Sequence, residues 1–226
     1  MPFEDTPGTP QFWNWPAQLA ETGWAVVHDI APASLTHALL AEARALHAEN
    51  ALKAASVGRA EDRQLDRTVR RDRIFWISRN SPAQAQFLDL METIRQEVNR
   101  TLFLGLFFFE AHIAVYEPGG FYARHKDAFK GARNRILSMV YYLNEDWPSD
   151  GGGELAIYAD DLTAAPAALV SPTGGCMALF LSEDIPHEVL ASRRNRYSIA
   201  GWFRVNDRMT APSLQAPPSL RPPGLV

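Results

Sequence analysis

The sequence is most informative first in what it lacks. It has a single cysteine, Cys176, so no internal disulfide can form, a closed thiolate metal site has no ligands, and a reducing compartment fits. It has no apolar run of the ~18 residues that a membrane-spanning helix needs. It has no basic excess either, with 22 Lys and Arg against 26 Asp and Glu and a formal net charge of −4. Nothing in the global field therefore draws the chain to nucleic acid or to a membrane surface. The opening residues Met1-Pro-Phe-Glu-Asp5 lack the basic start and apolar stretch of a signal peptide. These absences set the expectation of a cytoplasmic protein, a monomer or weak dimer, with no nucleic-acid and no membrane partner. What is present is a chain of 226 residues, 46% hydrophobic, long enough to bury the core of one domain.

The stretch around which the chain is organised is Tyr122-Ala-Arg-His-Lys-Asp-Ala-Phe129, with a partner downstream at Ile185-Pro-His-Glu-Val189. Residues two apart in an extended strand point to the same face, so His125 and Asp127 project an imidazole and a carboxylate into one space. His187 arrives from a later strand. Two imidazoles and one carboxylate on one side of a metal leave the opposite positions open, an arrangement used by non-haem Fe(II) oxygenases. A third motif follows, Arg196-Tyr-Ser-Ile-Ala-Gly-Trp-Phe203. There Arg196, Ser198, Ala200 and Trp202 share one face of a strand. A guanidinium facing a barrel interior is an uncompensated charge unless an anion meets it, and its planar fork suits a carboxylate. A dicarboxylate keto acid fits both features, its 2-oxo acid end on the metal and its far carboxylate on Arg196 and Ser198.

Taken in order, residues 13–23 read as a short amphipathic helix, and Trp24-Ala-Val-Val-His28 as a strand. Ser34 is placed to cap a helix in which Leu35, Leu39 and Leu46 recur at helical spacing, with His37 and His47 on its solvent side. Residues 56–79 carry Arg59, Arg63, Arg67, Arg70, Arg71, Arg73 and Arg79 against Glu61, Asp62, Asp66 and Asp72. They read as a solvated loop running into a strand at Ile74-Phe-Trp-Ile77. Ser81-Pro82 is a helix cap followed by proline, opening a helix with an apolar stripe from Phe87 through Met91, Ile94 and Val98 to Leu102. From residue 107 the pattern becomes eight short β segments broken by Gly, Pro, Asn and Asp, which fits a jelly roll. His112 lies in phase with Tyr116 in the first of these and reads as structural. Residues 211–226 form a proline-rich tail. The fold class expected is α+β, mainly β. One domain spans residues 1–210, with helical support over about 10–105 and a jelly-roll core over about 106–206.

Across Arg70-Arg-Asp-Arg-Ile-Phe-Trp-Ile77, Val115-Tyr-Glu-Pro-Gly-Gly-Phe-Tyr-Ala-Arg-His-Lys-Asp127, Val140-Tyr-Tyr-Leu-Asn144, Gly152-Gly-Glu-Leu155, His187-Glu-Val189 and Arg196-Tyr-Ser-Ile-Ala-Gly-Trp202, the chain resembles a known family. That family is the 2-oxoglutarate and Fe(II)-dependent oxygenases of the prolyl 4-hydroxylase type, in particular the branch of the hypoxia-inducible-factor prolyl hydroxylases and their bacterial relatives. The resemblance implies a double-stranded β-helix with the N-terminal helices packed on its major sheet. It implies His125, Asp127 and His187 as iron ligands, and Arg196, Tyr142, Ser198 and Leu155 around 2-oxoglutarate. Tyr116 and Trp202 would lie near the reacting centre, and Arg73, Trp76 and Arg124 at the substrate, with residues 56–79 as a finger over the active site that helps to hold it. It further implies L-ascorbate as the reductant that rescues oxidised iron, and a proline-containing protein substrate, among them translation or signalling proteins. An oxygenase with the same site acting on a free amino acid or another small molecule stands as the alternative, and a non-catalytic metal-binding jelly roll as a third.

Overall fold

The computed structural model describes residues 14–55, 68–128 and 134–205. Helix α1 (Trp15–Thr22) leads into β1 (Trp24–Val27), α2 (Ala33–Ala48), the two-residue β2 (Lys53–Ala54), β3 (Asp72–Trp76) and α3 (Pro82–Leu102). Eight strands follow: β4 (Phe108–Tyr116), β5 (Tyr122–His125), β6 (Arg135–Tyr142), β7 (Leu155–Ile157), β8 (Ala168–Val170), β9 (Met177–Leu181), β10 (His187–Val189) and β11 (Arg196–Arg204). Among the described residues they form a seven-stranded sheet in the order β1-β9-β6-β11-β4-β3-β2 and a four-stranded sheet in the order β5-β10-β7-β8. Strand neighbours in both sheets pair antiparallel. This two-sheet jelly roll with helices on the larger sheet is the architecture expected. No helix of the described residues is long and apolar enough to cross a membrane.

Side-chain alternation divides the larger sheet into two faces. Ile113, Val115, Tyr141, Leu179, Ile199 and Phe203 pack with Leu39, Phe87, Met91 and Ile94 of the helices in one buried cluster. Their neighbours Ala114, Tyr116, Tyr142, Ala178 and Phe180 face the smaller sheet and meet Leu155, Ile157 and Val189 in a second cluster. The second, interior face carries the site.

The helix ends follow local chemistry. Ser81 accepts a bond from the Gln84 backbone N–H at 3.2 Å, as the Ser-Pro pair leads one to expect. Its hydroxyl also donates to Glu42 of α2, and Gln84 Nε2 donates to the same carboxylate at 2.9 Å, tying α2 to α3. The cap expected of Ser34 is absent. Helix α2 begins two residues earlier than that cap would set, behind Pro32, with no side-chain cap bond, because the fixed φ of proline already sets the entry to the first turn. His47 is likewise no solvent-side bystander. Its ring bonds Tyr197 Oη at 3.0 Å and Glu117 at 3.1 Å, fastening α2 to the end of β11 and to the turn after β4. The arginine-rich residues 56–67 and the tail 211–226 lie outside the described residues.

Candidate active site

Strands β5 and β10 pair with His125 directly opposite His187, and cross-strand partners place their Cβ atoms about 5 Å apart on one face. Asp127 follows β5 two residues on. Ligand atoms of His125, Asp127 and His187 all lie within 4.8 Å of one another, with Nε2 of His125 3.5 Å from one carboxylate oxygen and Nε2 of His187 3.8 Å from the other. The rings are aimed by the backbone. His125 Nδ1 bonds the Ala123 carbonyl at 2.8 Å and His187 Nδ1 the Ile185 carbonyl at 3.0 Å. Each carbonyl takes the Nδ1 proton and leaves the Nε2 lone pair facing inward.

Electrostatics hold His187 and Asp127 in their ligating states. Burial lowers the His187 imidazolium to about 4, assisted by His125, so its ring is neutral at pH 7. Burial alone would raise Asp127, but His187, His125 and a hydrogen bond from Ser138 together pull it well below the usual carboxylate range. Ser138 Oγ donates to Asp127 Oδ2 at 2.6 Å from β6 of the other sheet. Tyr122 stacks on His125 at 3.6 Å with ring planes 19° apart. Arg70 lies over Tyr122 at 4.4 Å and is pinned by Asp72 through two bonds of 2.7 and 2.5 Å. Two imidazole nitrogens and one carboxylate gathered in this way fit ferrous iron.

A second constellation sits beside it. Arg196, 1% exposed, donates from Nε to the Gly153 carbonyl at 2.7 Å and from Nη1 to Ser198 Oγ at 3.0 Å. Its Nη2 has no hydrogen-bond partner, and neither has the fully buried Tyr142 hydroxyl. The guanidinium carbon is 5.1 Å from the Tyr142 ring centre and 5.0 Å from that of Tyr116. Burial pushes both phenols upward, so each is a neutral hydroxyl donor. Among the described residues no protein carboxylate comes within ion-pair distance of Arg196. A buried cation and a buried hydroxyl left unfilled side by side are what the far carboxylate of 2-oxoglutarate would satisfy.

These observations find their counterparts in known proteins. The model of the 2OG-Fe(II) oxygenase superfamily matches residues 111–204. A prolyl-4-hydroxylase from Pseudomonas putida is 40% identical, covering 86% of this chain and 100% of that one, with a TM-score of 0.78. The chain belongs to the 2OG-Fe(II) oxygenase superfamily. This oxygenase shares its fold with a Trichoplax adhaerens prolyl hydroxylase solved with a hypoxia-inducible-factor peptide fragment, at 24% identity and TM-score 0.74, over 84% of this chain and 87% of that one. The rat protein Egl nine homolog 1 is 29% identical over 179 residues, 72% of this chain and 49% of its own length. The chain spans about half the length, or less, of the curated relatives it matches first.

The remaining residues singled out in the sequence separate by position. Tyr116, Leu155 and Trp202 are buried on the interior face of the oxygenase fold. Trp76, at 47% exposure, stands at the rim of that face, opposite His112. Arg73 belongs to the other face. It pairs across from Val115 and donates to the Leu52 carbonyl at 3.0 Å and to Asn50 at 3.3 Å, turned toward α2 and away from the iron ligands. Arg124 lies 3.6 Å over the Tyr158 ring and donates to the carbonyls of Thr163 and Asp160, so its guanidinium is occupied in securing the loop after β7. The substrate roles expected of these two arginines conflict with those engagements. Sequence reasoning missed Ser138, Asp72 and Gly153. Only Asp72 left a usable signal, an acid in phase with Ile74 and Trp76 on a strand facing the interior.

Proposed function

We propose that this oxygenase hydroxylates a prolyl residue within a peptide or protein. The observation that carries the reading is the likeness to the Pseudomonas putida prolyl-4-hydroxylase, which runs over the whole of that chain at 40% identity. His125, Asp127 and His187 hold the metal on the smaller sheet. Arg196, Ser198 and the Tyr142 hydroxyl receive the far carboxylate of 2-oxoglutarate, and Leu155 closes the apolar wall beside it. Bound ferrous iron supplies the activation of O₂, coupled to conversion of 2-oxoglutarate into succinate and CO₂. The protein's own part is positioning. Asp127 stays anionic, the His187 imidazole stays neutral, and Tyr116 presents an un-ionised phenol beside Arg196. Trp76, half-exposed at the end of β3, marks the side from which a polypeptide would reach the metal.

The experiment is hydroxylation of a pool of blocked hexapeptides, each with one internal proline, set beside free L-proline. Succinate release and one added oxygen atom on the peptide are the readouts. Oxygen added to peptides and not to the free amino acid supports the reading. Oxygen added only to free L-proline overturns it in favour of a small-molecule oxygenase.

A further inference from the structure

Along β11 the buried pattern breaks only at Ala200. Ala200 lies between His112 on β4 and Val140 on β6, and Val140 is also part-exposed. These two part-exposed side chains lie side by side on the interior face and form the floor on which a substrate would lie. Trp202, the next interior residue, pairs across from Ser138, the residue that supports Asp127. The floor therefore runs from the metal ligands to His112.

Both walls of this floor hold buried polar atoms with no partner. His112 is 3% exposed and its Nδ1 is unbonded, while Trp202 is 9% exposed and its Nε1 is unbonded. The two rings lie 5.4 Å apart, and Trp76 meets His112 edge-on at 5.2 Å from the rim. Leaving a buried donor or acceptor unpaired costs about 1–3 kcal/mol. The same signature, an unfilled pair of buried polar atoms, marks the cosubstrate pocket at Arg196 and Tyr142. The charged groups that act on this pair are engaged elsewhere: Asp72 with Arg70, and Arg135, which lies 3.7 Å over the Trp202 ring, with Glu110 at 3.4 Å. Burial lowers the His112 imidazolium to about 4, so the pair is neutral at pH 7. Indole N–H is a donor only, whereas a neutral imidazole has one nitrogen that accepts. A neutral donor beside a neutral acceptor is complementary to an amide and not to a carboxylate or an ammonium group.

We propose that His112 and Trp202 read the main chain of the substrate: Trp202 Nε1 donates to the C=O, and His112 Nδ1 accepts from the N–H, of one extended residue next to the reacting proline. In an extended chain the N–H and C=O of a single residue leave the same edge. Proline has no N–H, so the residue read is its neighbour. The inference rests on the prolyl-peptide reading and specifies how that peptide is held.

His112→Phe keeps a flat ring between the two indoles and removes the acceptor. With the hexapeptide pool it should raise KM for peptide about tenfold, leaving KM for 2-oxoglutarate, Mn(II) affinity and peptide-independent succinate release unchanged. Peptide binding to the Mn(II) form without oxygen, read by tryptophan fluorescence, should weaken by the same factor. A second arm needs no variant. Peptides in which the N–H of one residue flanking proline is replaced by an ester oxygen should bind the native protein about tenfold more weakly at one of the two positions, and His112→Phe should not distinguish them. If neither ester weakens binding, or His112→Phe keeps its peptide KM, the reading site is overturned while peptide hydroxylation by the native protein still stands. If the native protein oxidises only free L-proline, both proposals fall.

Discussion

At the scale of single residues, the site is a set of buried polar atoms, and its logic is which of them the protein satisfies itself. Ser138 satisfies one oxygen of Asp127 and leaves the other toward the metal position. Removing such a supporting donor typically costs roughly 10–100-fold in metal affinity. Ser138→Ala should therefore weaken Mn(II) binding by that factor in calorimetry, while Asp127→Ala should abolish it. Unchanged affinity in Ser138→Ala would mean the carboxylate needs no support from the larger sheet. His112 gives a pH prediction. Its folded-state value, about 4, lies below the ordinary value near 6.5. Between these, the unfolded chain binds a proton that the folded chain refuses, so stability falls as pH drops through that window. Metal-free native protein should lose more thermal stability from pH 7 to pH 5 than His112→Phe does. Equal slopes would show that His112 is not held neutral.

At the scale of elements, legibility depended on whether local pattern or long-range pairing decides. The eight β segments after residue 107 stood out because each is short, β-rich and ended by a turn residue, and eight strands, β4 to β11, form there. Ser81 was readable as a cap because Ser-Pro acts locally, whereas the two-residue β2 exists only because Lys53 and Ala54 pair with β3. The metal triad could be read from a two-residue spacing, but Ser138 could not. Its role comes from β6 approaching β5 across the two sheets, which no local pattern records. Arg73 was placed at the substrate by the resemblance alone, whereas its alternation with Asp72 and Ile74 along β3 sends its side chain to the opposite face. The turn before β7 shows the same dependence. Gly153 sits at φ +70, and a Cβ there would lie 2.9 Å from Arg196 Cδ and 3.1 Å from Ser192 Oγ. Gly153→Ala must shift the guanidinium as well as strain the backbone. It should raise the KM for 2-oxoglutarate several-fold or more with Mn(II) affinity intact, a split that steady-state kinetics and calorimetry together measure. Parallel losses in both would place the damage in the sheet and not at Arg196.

At the scale of the whole molecule, the two binding functions are divided between the two sheets. Strands β5 and β10 of the smaller sheet carry His125 and His187, and Asp127 follows β5, while β6 and β11 of the larger sheet carry Tyr142 and Arg196. The larger sheet is braced by α1, α2 and α3 through a continuous apolar cluster. The smaller sheet has short strands of three or four residues and no such helical backing among the described residues. Elements with fewer buried contacts open more readily, so the smaller sheet should exchange its amide protons faster in the free protein. Metal alone joins residues of that sheet and should slow exchange in β5 and β10. If 2-oxoglutarate binds as proposed, between the metal and Arg196, adding it should extend the slowing to β7 and the turn at 151–154, because one ligand would then bridge both sheets. Arg196→Ala should keep the first step and lose the second. Hydrogen exchange of the Mn(II) form with and without 2-oxoglutarate measures this order, and full protection by Mn(II) alone would show that the sheets are coupled through the protein and not through the cosubstrate.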